Sequence, residues 1–93
     1  MKEKYRVLGK TEQYILLYLI SMKEGVAVKE IYEEMKLSPN AVTQAVNKLL
    51  NEGFLVEKRE EVFHRRRLIY LSEKGRKMAQ LLLQTQEIMK SNQ

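Results

Sequence analysis

Asn40, Gln44, Asn47 and Asn51 recur at spacings of four, three and four, which places their side-chain amides on one face of an α-helix. Primary amides donate and accept at once, and in a bidentate pair they match the N6 and N7 edge of adenine in a DNA major groove. The chemistry offered is hydrogen-bonded readout of bases rather than bond making. The opposite face of the same segment carries Val42, Ala45, Val46, Leu49 and Leu50, a stripe that seeks a core. The ends are marked as well. Ser38 is an N-cap, its hydroxyl accepting from an orphan amide of the first turn, and Pro39 follows where a missing N–H costs nothing. Gly53 stands where a left-handed residue closes a helix. The residues expected to face DNA from this helix are Ser38, Asn40, Thr43, Gln44, Asn47 and Lys48.

Charge adds a second observation. The chain of 93 residues carries 17 Lys+Arg against 12 Asp+Glu, a formal charge of +5, which favours an anionic partner. The amide helix, Ser38 to Gly53, holds one Lys and one Glu and is neutral. The surplus lies elsewhere. Residues 58–67 hold five basic and two acidic groups, and residues 2–10 hold four and one. Phosphate contact is therefore expected from Lys58, Arg59, Arg65, Arg66 and Arg67, on the backbone or in an A·T-rich minor groove, and from the N-terminal arm. Strand alternation cannot aim three consecutive arginines the same way.

Catalysis is disfavoured, and the chain is not read as an enzyme. There is no Cys and no Asp, so no thiolate nucleophile and no Ser-His-Asp triad can be built. His64 is the only histidine and is read as a surface residue of a charged loop. Glu33-Glu34 and Glu60-Glu61 are read as solvated pairs. No cofactor or metal is expected. No apolar run approaches membrane-spanning length, and Met1-Lys2-Glu3-Lys4 leads into no signal segment. A cytoplasmic protein is expected, with no membrane partner.

The elements that must position the amides follow from periodicity and punctuation. Thr11 with Glu12 opens a first helix, with Ile15, Leu16, Leu19 and Ile20 inward and Gly25 at its exit. Residues 26–28 form a short extended link, and Lys29 to Lys36 a second helix with Ile31, Tyr32 and Met35 inward. Leu37-Ser38 turn into the amide helix. Residues 54–59 and 65–71 are β-prone and flank a charged loop, a hairpin without the Asn-Gly or Asp-Gly of a tight turn. Ser72 caps a last helix. Helix, short strand, helix, turn, helix, β-hairpin, helix is the order of a winged helix-turn-helix: an α+β, mostly α fold with a three-helix core and a β-hairpin wing. The chain 1–93 is expected as one winged-helix DNA-binding domain. Residues 72–91 form its C-terminal dimerisation helix, because Met78, Leu81, Leu82, Thr85, Ile88 and Met89 make a stripe wider than a short core requires.

Three segments carry a family resemblance. Glu30-Ile31-Tyr32-Glu33-Glu34-Met35-Lys36-Leu37-Ser38 resembles the ELAxxLGLS entry of MarR-type repressors. Leu49 to Leu55 resembles their LExxGLV exit, and Leu71-Ser72-Glu73-Lys74-Gly75-Arg76 their LTxKGR. PadR-type regulators share much of the pattern, which spans roughly residues 8 to 78 here. The chain departs from it at Tyr32, where the family has a small Ala, at Lys36, where it has Gly, and in the wing, which lacks the Asp of Asp-x-Arg. It is also shorter than a typical MarR protein, whose further helices frame an effector pocket, so no effector is assigned. Together, residues and resemblance imply a sequence-specific transcriptional regulator, a repressor, that binds a pseudo-palindromic double-stranded DNA operator as a homodimer. The alternatives are an architectural, chromatin-type DNA binder of low sequence specificity and a winged-helix protein-interaction module.

Overall fold

The computed structural model describes residues 4–61 and 66–91. Its elements run α1 (Lys10–Ile20), β1 (Val26–Ala27), α2 (Val28–Met35), α3 (Pro39–Asn51), β2 (Leu55–Arg59), β3 (Arg67–Leu71) and α4 (Glu73–Lys90). The three strands form one antiparallel sheet in the order β1-β3-β2. Winged helix-turn-helix is the architecture: α2 and α3 form the helix-turn-helix, and β2 with β3 forms the wing.

The apolar stripes meet where their periods place them. Ile15, Leu16 and Leu19 of α1, Ile31 of α2, Val42, Val46 and Leu49 of α3 and Ile69 of β3 are buried in one core, and Ala79 of α4 closes it. Tyr32, at the position where a small residue was expected between helices, is half-buried at the core's edge. Lys36, at the expected Gly position, adopts the left-handed conformation (φ 56°) and ends α2. The turn thus keeps a glycine-like geometry on a side chain that L-residues adopt at a cost of about 1–2 kcal/mol.

Several boundaries differ from the sequence expectation. Gly9, not Thr11, caps α1, because the Glu12 carboxylate reaches back to accept the Gly9 N–H at 2.7 Å. The helix stops at Ile20, well before Gly25. Gly25 answers a different requirement: a Cβ there would lie 2.5 Å from the Tyr70 ring. Val28 belongs to α2, which starts one residue early because Glu30 accepts the Ala27 N–H at 3.1 Å. Phe54 precedes β2 and its carbonyl accepts from Ser72 N–H (3.1 Å), while β3 begins at Arg67. The caps of α3 and α4 stand as read: Ser38 accepts from Ala41 N–H, Ser72 accepts from Gly75 N–H, and Gly53 closes α3 with φ 83°.

Candidate nucleic-acid interface

Helix α3 is divided as its sequence suggests. Val42, Ala45, Val46 and Leu49 are buried, whereas Asn40, Gln44, Asn47, Lys48 and Asn51 are exposed and Thr43 is half-exposed at the margin. Ser38 is exposed, but its oxygen already accepts the Ala41 amide at 3.4 Å and serves the cap. A shallow groove separates α3 from the start of α1. Gly9, Lys10, Thr11 and Glu12 line one side and Ala41, Gln44, Ala45 and Lys48 the other. The fold therefore brings Lys10 onto the surface of the amide row, beside Gln44 and Lys48. Sequence counting assigned Lys10 to the basic arm and not to this face. The signal that could have found it is the packing of α1 on α3, which is not local in sequence.

Arg6 anchors the described part of the N-terminal arm. Arg6 donates from Nε and Nη2 to both oxygens of Glu52 (2.6 and 2.7 Å) and from Nη2 to Glu12 (3.0 Å). This fork-to-fork geometry matches guanidinium to carboxylate. Hydrogen bonding to Arg6 holds the Glu52 carboxyl below its ordinary range, and the same bonds hold Arg6 more firmly protonated. Glu52 is the C-cap of α3. Its negative charge is thus met by the arm, which leaves Lys48 as the formal charge that α3 presents.

The wing divides its cations between two faces. Residues 57, 59, 67 and 69 share one face by register, and Lys58 lies on the other, its Nζ 5.6 Å from the Tyr70 ring centroid. Lys58 and Arg59 are exposed. Arg67 donates to Glu57 across the ladder at 2.9 Å, and this bond holds the Glu57 carboxyl below its ordinary range. Arg66 donates from Nε to Glu60 at 2.9 Å and lies 3.7 Å from Glu30 of α2. Of the three arginines expected at phosphate, Arg66 and Arg67 are thus engaged with carboxylates. Arg65 and His64 lie outside the described residues.

The family model described as the MarR family matches residues 10–67, a span running from α1 through the wing to the start of β3. The chain belongs to the MarR family. Within that family it is 35% identical over 72 residues to the HTH-type transcriptional regulator YwhA of Bacillus subtilis, covering 77% of this chain and 52% of that protein. It thus spans about half the length of the curated relative it matches. A variant of ZitR from Lactococcus lactis superposes with a TM-score of 0.80 at 28% identity, over 96% of this chain and 60% of that one. FabT of Streptococcus pneumoniae, solved in complex with DNA, shares the fold with a TM-score of 0.78 at 20% identity, over 94% of this chain and 60% of that one. The MarR family and these relatives comprise transcriptional regulators, not enzymes. No helix among the described residues is long and apolar enough to cross a membrane.

The last helix of this MarR chain continues past its own core. Gly75 and Ala79 are buried, and Met78 and Leu82 pack half-buried against the core. Beyond them the helix is exposed: Leu81, Leu83 and Thr85 are exposed, and Ile88 and Met89 are 73% and 75% accessible. The six residues expected at a dimer contact thus fall into two groups. Met78 and Leu82 serve the domain's own core, and Leu81, Thr85, Ile88 and Met89 face outward. Leu83 joins them in exposure and was not singled out by periodicity, because it lies off the stripe. The arm adds Tyr5 and Val7 to the exposed apolar residues.

Proposed function

We propose that this MarR-family chain is a sequence-specific, double-stranded DNA-binding repressor that acts in the cytoplasm as a homodimer. The observation that carries the reading is the exposed row Asn40, Gln44, Asn47 on α3, backed by the buried Val42, Ala45, Val46 and Leu49 and flanked by Lys10 and Lys48. In this reading α3 enters the major groove, where its amides meet base edges, and the wing lies along the backbone or minor groove through Lys58, Arg59 and the arginines of residues 65–67. Leu81, Thr85, Ile88 and Met89 of α4 meet the same residues of a second copy, because an apolar helix face of this kind is otherwise left in water. A two-fold dimer presents two α3 helices about 34 Å apart, one turn of DNA, and reads a pseudo-palindrome. Repression follows from occupying a promoter.

Selection of bound sequences from a random duplex pool tests the reading. The expected outcome is an inverted repeat with half-site centres one helical turn apart. Recovery of unenriched sequence at similar affinity indicates an architectural binder. Absence of binding at low salt refutes the DNA reading and favours a protein-interaction module.

A further inference from the structure

The wing arginines are not equally available to phosphate. Arg66 sits where the β2–β3 ladder runs out. Beyond the Arg59–Arg67 pair, Glu60 N–H donates to Arg66 O at 2.9 Å and Arg66 N–H donates to Glu60 Oε1 at 3.3 Å. The guanidinium returns to the same carboxylate, with Nε to Oε1 at 2.9 Å and Nη2 to Oε2 at 3.3 Å. Its Nη1 lies 3.7 Å from Glu30 Oε1, a carboxylate oxygen fixed by its bond from Ala27 N–H at the start of α2. Next along the strand, Arg67 is bonded to Glu57. Two arginines thus face three carboxylates. A phosphate uses the same planar N–H fork that a carboxylate uses, so the two compete for one edge of the guanidinium.

We infer that Glu60, with Glu30 behind it, is an affinity-determining residue of the DNA interface: it acts as an internal counter-anion that duplex phosphate must displace from Arg66. Glu57 does the same for Arg67. The inference rests on the DNA-binding reading above. It makes the wing's hold on DNA a difference between two ion pairs rather than a single attraction. It also gives Glu60 two tasks, since its Oε1 closes the hairpin by accepting the Arg66 N–H.

The test compares Glu60→Gln with Glu61→Gln in titrations of a selected duplex over a range of salt. Gln keeps the oxygen that accepts the Arg66 amide, and Glu61→Gln changes the net charge equally at an exposed neighbouring position. Glu60→Gln is expected to tighten binding roughly two- to fivefold beyond Glu61→Gln, the scale of an exposed pair. The slope of log K against log salt is expected to steepen by at most about 0.9, because no displaced carboxylate then takes up a cation when phosphate claims Arg66. Arg66→Ala is expected to cost more in the Glu60→Gln background than in the wild type. Equal effects of the two glutamine variants, or an Arg66→Ala cost unaffected by background, overturn the inference while leaving DNA binding intact. No binding by the wild type at low salt overturns the underlying reading and the inference with it.

Discussion

Gly75→Ala is expected to be the most damaging of the four glycine-to-alanine changes. Alanine is ordinarily the better helix residue, by about 1 kcal/mol. At this position the added Cβ would lie 1.9 Å from the Phe54 carbonyl oxygen, 2.9 Å from its carbon and 3.3 Å from Leu71 Cδ2. The first obstacle is backbone and cannot rotate away. To restore ordinary contact α4 must retreat from the start of β2. The Phe54 carbonyl also accepts Ser72 N–H at 3.1 Å, Ser72 Oγ donates to Gly53 O at 2.5 Å, and Lys74 Nζ donates to Glu52 O at 2.7 Å. Retreat loosens all three. Overpacking a closed site costs ~1–3 kcal/mol and each loosened hydrogen bond about 1 kcal/mol more. Against the gain in helix propensity, the net loss is about 3–5 kcal/mol. For a domain of this size that corresponds to a fall in Tm of roughly 12–40 °C. Thermal unfolding followed by far-ultraviolet circular dichroism measures it, with urea unfolding as the check on the free energy. A Tm equal to or above that of the wild type refutes the argument, because it means α4 approaches β2 less closely than described.

Three further outcomes are expected. Gln44→Ala and Asn47→Ala each lower affinity for a selected duplex by an amount equivalent to about 1–3 kcal/mol while leaving affinity for random duplex nearly unchanged; equal losses on both count against base readout. Leu81→Glu with Ile88→Glu converts a dimer into a monomer by light scattering without changing the circular dichroism spectrum, because both side chains are exposed in the isolated chain; a dimer that persists places the contact elsewhere. Arg6 and Arg67 hold Glu52 and Glu57 below the ordinary carboxylate value of 4.5, so the unfolded chain binds more protons in the acid range and stability is lost as pH falls through that value and below. Urea midpoints measured from pH 7 to pH 3 report this, and Glu52→Gln flattens the dependence; an unchanged profile in that variant removes Glu52 from the account.

The parts of the fold that were legible in the sequence are those set by neighbours along the chain. Ser38 before Pro39, Gly53 after Asn51 and Ser72 before Glu73 mark helix ends through bonds spanning three or four residues, and the structure shows each in its place. The division of α3 into amide and apolar faces was legible for the same reason. What was not legible depends on distant partners. Gly25 leaves room for the Tyr70 ring, and Gly75 is required by the Phe54 carbonyl. No periodicity contains that information. Thr11 was a reasonable cap by type, but Glu12 reaches Gly9 and moves the helix start. In the wing, composition gives the sum of charges and not their pairing. Arg66 and Arg67 read as open cations until Glu57, Glu60 and Glu30 are placed beside them.

This pairing relocates the charge available to DNA. By sequence alone the amide helix is neutral, and the arm and the wing each carry a surplus of three. In the folded chain Arg6 neutralises Glu52 at the end of α3, while carboxylates occupy Arg66 and Arg67. The compensation runs in opposite directions: it removes an anion from the helix and engages cations of the wing. Lys48, and Lys10 across the groove, then flank the amides directly. Under the DNA reading, base contact and phosphate contact lie on adjacent residues of one surface as well as on the wing. Register on the backbone and register on the bases are then set in part by the same rigid body. The part of Arg6 is to hold the end of α3, and its loss is expected to weaken specific binding through the helix it anchors rather than through a phosphate contact of its own.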